Sequence, residues 1–465
     1  MSRVALDEST PAIVGAAQVI QRPDPSVDVA DLRGPIELMV DAARAAADDA
    51  GAAGLLAKLD WIGVVGGFWS YTNPGQVVGA QLGSPDAATC LTFLSGTSPQ
   101  ELVSLAAQRI ADGELDVALV LGGEARSSRE RLQRAGEEPR WCRDPGTVAP
   151  ERIADIPDEV VVETLELGGP VTFYALFEDS LRRALGATMD DHRDHIAALW
   201  SRFNDVAVGN PYSWDRRSYD AETIREPTPD NRMISFPYTK CMVANNLVDM
   251  ASAILLCSVD AARAAGISTD RLVFPLVGTT SHETWTVAQR RVLHGVPGLA
   301  AAGRTALRES GLDIGDIEHV DLYACFPSIV QMSAAELGLD LDRPLTVTGG
   351  LGFAGAPIAN SSGHAIAAMV PLVREGGKAL VHANGGCATK HAFGIYSTEP
   401  PAKYRYIDCN DQVEHDARPV GAAADPVDGR DEASTVVYDR SGPTHTVTSV
   451  VTPDGRRVFT KTPIG

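Results

Sequence analysis

Two stretches of this 465-residue chain are written in the same order. SGTSPQELVSLAAQRIADGELDVALVLGG (95–123) runs Ser-Gly, helical pattern, Gly, apolar strand, Gly-Gly. SSGHAIAAMVPLVREGGKALVHANGG (361–386) runs the same way. A βαβ unit cannot bury both faces of its sheet alone. Two copies in one chain therefore predict an internally duplicated α/β core.

The flanking sequence fits that reading. AIVGAAQVI (12–20) reads as a strand, PIELMVDAARAAADDAG (35–51) as a helix closed by Gly51, and WIGVVGGFWS (61–70) as a strand. This alternation predicts a parallel sheet covered on both faces. Residues 126–235 break it with an Arg/Glu-rich run, two helical stretches (171–186 and 191–207) and Pro-rich turns, which reads as an insertion. The alternation resumes at NNLVDMASAILLCSVDAARAAG (245–266), a buried-helix candidate, and VFPLVGTT (273–280), a strand. GLAAAGRTALRESG (298–311) and VDLYACF (320–326) read as helix and strand of the second copy. From 403 the composition turns polar, and TVVYDR, HTVTSVVT and RRVFTKT alternate as short strands around SGPT and PDG turns. The expected domains are a first half (1–125 with 236–268), an inserted domain (126–235), a second half (269–402) and a small antiparallel β module (403–465).

A formal net charge of −21 disfavours nucleic acid as a partner. A polyanionic ligand would then need a local basic site. Arg126, Arg129, Arg131 and Arg134, with Arg140 and Arg143, are one candidate; the alternative is a solvated face paired with Glu124, Glu130, Glu137 and Glu138. Seven scattered cysteines without metal spacing, and no signal-like leader, suggest a reducing, cytoplasmic setting. No apolar run reaches the roughly 18 residues of a membrane span. GLGFAG (350–355) matches a dinucleotide fingerprint, but a turn follows it where a helix is needed. HETW and DHRDH lack zinc-pair spacing, so no metal is expected.

Four blocks together resemble the thiolase superfamily, most closely its sterol-carrier-protein-x branch. They are FLSGTSPQ with its helix and strand, FYALFEDSLRRALG with the later Asn-Pro-Tyr (210–212), GLAAAGRTALRESGLDIGDIEHVDLYACF, and GGLGFAGAPIANSSG. The resemblance implies a five-layer αβαβα fold over about residues 10–400. It also implies an OB-like character for the tail, and a homodimer, with a monomer possible. It implies coenzyme A or an acyl-CoA as ligand, with no tightly bound cofactor. In that family a Cys opens the first central helix, where its thiolate carries the acyl group. Here Ser95 or Gly96 stands in that place. The oxyanion-holding residue of the next motif falls on Tyr323, the activating His on Ala356 and the second Cys on Ala383. The Gly-rich scaffold persists, including Gly355 and Pro357.

The residues thus imply a thiolase-like protein of acyl-CoA and lipid metabolism without ordinary thiolase turnover. Ser95 and Tyr323 are the candidate catalytic groups, although Ser95 or Ser98 also reads as the helix cap and Tyr323 as a packed strand aromatic. The four arginines are candidates for the phosphates of coenzyme A, and Gly355 and Pro357 for the ligand-binding loop. Two alternatives stay open: a retro-aldol lyase acting on β-hydroxyacyl-CoA through Tyr323, and a non-catalytic partner subunit or carrier.

Overall fold

The computed structural model describes residues 6–24, 26–144, 148–153, 156–413 and 428–464. Two mixed sheets face each other across a pair of central helices. The first has the strand order Pro11–Ile20, Asp249–Ser258, Val117–Ala125, Trp61–Val64, Ala88–Leu91, Glu151–Arg152. The second runs His319–Asp321, Ala379–Gly385, Lys390–Ser397, Phe274–His282, Tyr406–Asp408. Between them lie the helices of the two repeated segments, Ser98–Ala111 and Ser361–Glu375, packed on each other. Helices Pro35–Ala50 and Pro297–Ser310 cover the outer faces. The result is helix, sheet, helices, sheet, helix, the five-layer arrangement that the resemblance implied.

The central layer is apolar because both helices are covered on two sides. Leu102, Val103 and Ile110 of one helix and Ile366, Val370 and Val373 of the other are fully or almost fully buried. Burying each such side chain contributes about 1.5–3 kcal/mol relative to exposure.

Two expectations need correction. Asp249–Ser258 is not a helix but a strand, buried at all ten positions and antiparallel to both of its neighbours. A continuous apolar run looks alike in a buried strand and a buried helix, and only its sheet partners decide. The helix that follows it is short, Val259–Ala264. The sheet is consequently mixed rather than parallel.

Among the described residues the 126–235 segment carries five helices, Arg126–Ala135, Asp158–Glu166, Pro170–Ala184, Met189–Gly209 and Ala221–Arg225. The tail forms hairpins from Arg430–Tyr438, Pro443–Val451 and Arg457–Pro463. Its first strand also pairs with Met233–Ser235 through Val437 and Ser235, so the five-stranded sheet is shared with the inserted segment. Among the described residues this sheet is an open antiparallel one, and OB-like closure is not seen. Arg457 is fully buried and fastens the module to the core. It binds Glu432 at 2.8 Å and the backbone carbonyls of Val287, Ala288 and Arg290. No single helix among the described residues is long and apolar enough to cross a membrane.

Candidate active site

Both central helices begin at the same place. Ser95 and Gly96 precede one and Asn360 the other, and Ser362 Oγ donates to Gly96 O at 3.0 Å to tie the two starts together. A cleft of about 630 Å³ opens in front of these turns. The inserted segment forms its far wall with Val160, Val161, Thr164 and Leu165. Its floor includes Ala356, Ile358, Asn384 and Gly385. The described residues lining it include no carboxylate, imidazole, lysine or arginine. Its polar groups are hydroxyls, amides and two thiols, so this is an apolar site with few anchor points.

Ser95 is 3% exposed and lines the cleft. Its Oγ lies 2.8 Å from Thr97 Oγ1, which donates at 2.9 Å to Glu101. Glu101 is paired with Lys390 at 3.2 Å and accepts from Thr280. Ser95 therefore has a two-bond hydrogen-bond route to a buried carboxylate, which the sequence did not disclose, since Glu101 and Lys390 lie in different repeats. Lys390 and Thr280 thus already engage that carboxylate. The capping expectation fails: the helix starts at Ser98 and its cap position is Thr97, so Ser95 does not cap it.

Tyr323 sits in the loop past the strand His319–Asp321, not within the strand as expected. It is 8% exposed and lines the cleft. A side chain at Gly96 would place Cβ 2.5 Å from the Tyr323 hydroxyl and 2.2 Å from Asn384 O. Gly96 is therefore obligatory, and no thiol fits at that position against the Asn384 carbonyl and Tyr323. Burial, with Cys325 adding to it, pushes the phenol well above its usual pKa, so the resting hydroxyl is neutral.

The two cysteines at the cleft, Cys325 and Cys387, are also held as thiols. Burial raises Cys325 to about 12 and Cys387 to about 11. Ala383 is fully buried and is not among the cleft-lining residues, whereas its neighbour Asn384 is. Successive strand side chains alternate in direction, so only one of that pair can face the cleft. Asn384 Nδ2 donates to the Tyr174 hydroxyl at 2.8 Å, while its Oδ1 has no partner among the described residues. Tyr174 and Asn384 were not picked out from the sequence. Asn384 was accessible through strand alternation, whereas nothing local marked Tyr174.

Gly355 has a φ of +104° and lies on a second, smaller chamber, where a Cβ would stand 2.8 Å from Met250 Sδ. Pro357 centres a tight turn closed by Ile358 N to Ala356 O at 2.6 Å. It presents both neighbours to the cleft without lining it itself. Ile358 takes a φ of +52°, an unusual conformation for a β-branched residue.

The four arginines divide. All lie on the helix Arg126–Ala135. Arg126 stacks over Phe68, and Arg129 donates to Phe68 O at 2.7 Å and lies over Trp141. Phe68 belongs both to the cleft and to an adjoining groove of about 570 Å³ lined by Trp69, Arg129 and Trp141. Arg131 instead reaches Asp24 O, and Arg134 pairs with Glu130. Glu124, beneath Phe68, is pushed to about 7 by burial against the pull of Arg129 and Arg126. A carboxyl half-titrated at neutral pH leaves these two guanidiniums with a net positive field. Among the described residues no cluster of three or more His, Cys, Asp or Glu is placed to hold a metal ion.

No family model matches the chain. A monomeric SCP2-thiolase-like protein type 1 from Mycobacterium smegmatis superposes with a TM-score of 0.82 at 31% identity, over 98% of this chain and 93% of that one. Human mitochondrial 3-ketoacyl-CoA thiolase superposes at 0.61 with 17% identity, over 84% of this chain and all of that one. An Ltp2–ChsH2(DUF35) aldolase does so at 0.63 with 18% identity, over 83% and 97%. These last two likenesses concern the fold alone. Among curated sequences, an acetyl-CoA acetyltransferase from Methanothermobacter thermautotrophicus is 26% identical over 256 residues, 48% of this chain. The match spans 63% of that relative's length. With its duplicated five-layer core and a likeness that runs nearly end to end, this chain belongs to the SCP2-thiolase-like proteins of the thiolase superfamily.

Proposed function

We propose that this protein binds an acyl-CoA or related thioester of lipid metabolism and does not carry out cysteine-dependent thiolysis. The observation that carries this reading is the packing of Tyr323 against Gly96, which removes the space a nucleophilic thiol needs. The apolar cleft suits an acyl group. Arg126 and Arg129, at the Phe68 lip, suit the phosphates of coenzyme A through charge-assisted hydrogen bonds. Arg131 and Arg134, engaged elsewhere, contribute less.

Calorimetry with coenzyme A tests the assignment. Binding should weaken with salt, and each of Arg126→Ala and Arg129→Ala should cost about 1–3 kcal/mol. No heat with coenzyme A or any acyl-CoA would overturn it. Acetoacetyl-CoA thiolysis faster than about 1 per second, abolished by alkylating one cysteine, would overturn the second half.

A lyase reading is favoured by Tyr323 itself. Retro-aldol cleavage of a β-hydroxyacyl-CoA needs a group beside the β-hydroxyl and the thioester, and Tyr323 is the cleft hydroxyl at the meeting point of the two helix starts. Tyr323→Phe keeps the ring, so cleavage should fall steeply while the fold persists. Equal rates would make Tyr323 a packing residue, and no cleavage by wild type would leave a binding protein or carrier.

A monomer is the supported assembly. The edge strand Ala88–Leu91 is covered by Glu151–Arg152, and Arg109 clasps Glu151 at 2.7 and 3.1 Å. A covered edge offers no ladder to a second copy. The Mycobacterium smegmatis relative is likewise described as monomeric.

A further inference from the structure

The tail module and the cleft meet at a single helical turn, Val287–Gln289, with Arg290 after it. In such a turn the free N–H groups point toward its start and the free carbonyls toward its end, so it can be held from both sides at once. On the carbonyl side, Arg457 of the tail donates to Val287 O and Ala288 O, each at 3.2 Å, and to Arg290 O. Glu432 fixes the same guanidinium at 2.8 and 2.9 Å. On the amide side, the Glu163 carboxyl accepts from Val287 N and Ala288 N, both at 2.8 Å. Glu163 lies on Asp158–Glu166, the helix whose Val160, Val161, Thr164 and Leu165 make the far wall of the cleft. Arg290 adds a third contact: its Nη2 donates at 2.9 Å to the Thr389 hydroxyl, which stands against Gly386 of the cleft floor.

The wall helix has little else to set its position. It has nine residues, too few to be stable by propensity alone, and Val160 is its one buried residue. Val161, Val162 and Leu165 are exposed. Beyond its end come Gly168 and Gly169, with φ of +103° and +95°, and the next helix leaves at 78°. A diglycine can absorb a change of direction there. Among the described residues the helix is otherwise tied to the core by the Thr164 hydroxyl, 3.5 Å from Cys387 Sγ.

We propose that the tail module sets the cleft wall: Arg457 anchors the 287–290 turn, the turn anchors Glu163, and Glu163 holds Asp158–Glu166 against the acyl end of the ligand. Neither Arg457 nor Glu163 lines the cleft, so both are positioning residues. Linkage is reciprocal, so a ligand that packs on Val161 and Leu165 also strengthens the seating of the tail.

Hydrogen exchange reads this link without a ligand. In Arg457→Ala the tail hairpins should gain most, and beyond them the Asp158–Glu166 amides should exchange at least about fivefold faster than in wild type. Arg126–Ala135, at the Phe68 lip, should not change. Glu163→Ala should speed the same wall helix together with the Val287 and Ala288 amides. Glu163→Gln, which keeps an oxygen for one of the two N–H groups, should restore part. Should Arg457→Ala not fold, Glu163→Ala reads the link from its other end, as faster exchange in Arg457–Pro463. Wild-type exchange of Asp158–Glu166 in folded Arg457→Ala, or of Arg457–Pro463 in Glu163→Ala, overturns the proposal.

The ligand half of the proposal rests on the acyl-CoA reading above; the exchange experiment does not. By calorimetry a long-chain acyl-CoA should bind about tenfold more weakly to either Ala variant, with coenzyme A itself unchanged. The double variant should be no weaker than the weaker single one, because both act through one turn. Equal losses for coenzyme A and acyl-CoA, or additive losses, overturn the ligand half. If no acyl-CoA binds to wild type, the ligand assignment falls and exchange judges the link by itself.

Discussion

Gly96 shows how one missing side chain fixes chemistry. A side chain at Gly96 would meet the Tyr323 hydroxyl and the Asn384 carbonyl, so a thiol cannot be placed at Gly96 by one substitution. Gly96→Cys should destabilise the fold by about 1–3 kcal/mol through overpacking and confer no thiolysis. Denaturant unfolding and a thiolysis assay check both parts. Adding Tyr323→Ala should recover only part of the stability, because it removes the ring but leaves the Asn384 carbonyl 2.2 Å from the new Cβ. Independent, additive losses in the double variant would show that the two sites do not touch as described.

At the scale of elements, two buried histidines tie stability to pH. His364, on a central helix, is held near 3 by burial, and His382, on the strand Ala379–Gly385, is held well below its ordinary value by burial and His391. Both stay neutral when folded and take up a proton when unfolded below about pH 6.5. The unfolded state then binds more protons, so stability falls as pH drops below 6.5, down to about 3 for His364. The slope approaches about 1.4 kcal/mol per pH unit for each histidine. Urea midpoints between pH 7 and 4 test this, and His382→Phe should flatten the slope. The tail module depends on a different element contact. Arg457→Ala leaves Glu432 and several carbonyls without their buried partner and should cost about 3–5 kcal/mol. Hydrogen exchange should show the loss concentrated in the Arg430–Pro463 hairpins; uniform protection would argue against a clamp.

For the whole molecule, the covered sheet edge and the net charge of −21 both work against self-association. Light scattering should give a mass near 49.2 kDa at micromolar concentration. A stable dimer would mean that another surface is used. The acidic surface also makes coenzyme A capture depend on the local field of Arg126 and Arg129, so association should be slowest when Glu124 is ionised, above about pH 7.

The duplicated Ser-Gly, helix, Gly, strand, Gly-Gly order pointed to a duplicated α/β core, because each βαβ unit must be covered; the five layers were implied only by the family resemblance. That Ser95 or Gly96, Ala356 and Ala383 stand where the family has its cysteine, His and second cysteine is implied by the resemblance of the Gly-rich motifs alone. Three things were not legible. The run at Asp249–Ser258 carries no periodicity, so only its pairing with Pro11–Ile20 and Val117–Ala125 made it a strand. Arg126 and Arg129 differ from Arg131 and Arg134 only in what their helix faces. The links from Ser95 to Glu101 and Lys390, and the packing of Gly96 against Tyr323 and Asn384, join residues far apart in the chain, because a site at the start of two central helices exists only once both halves have closed over it.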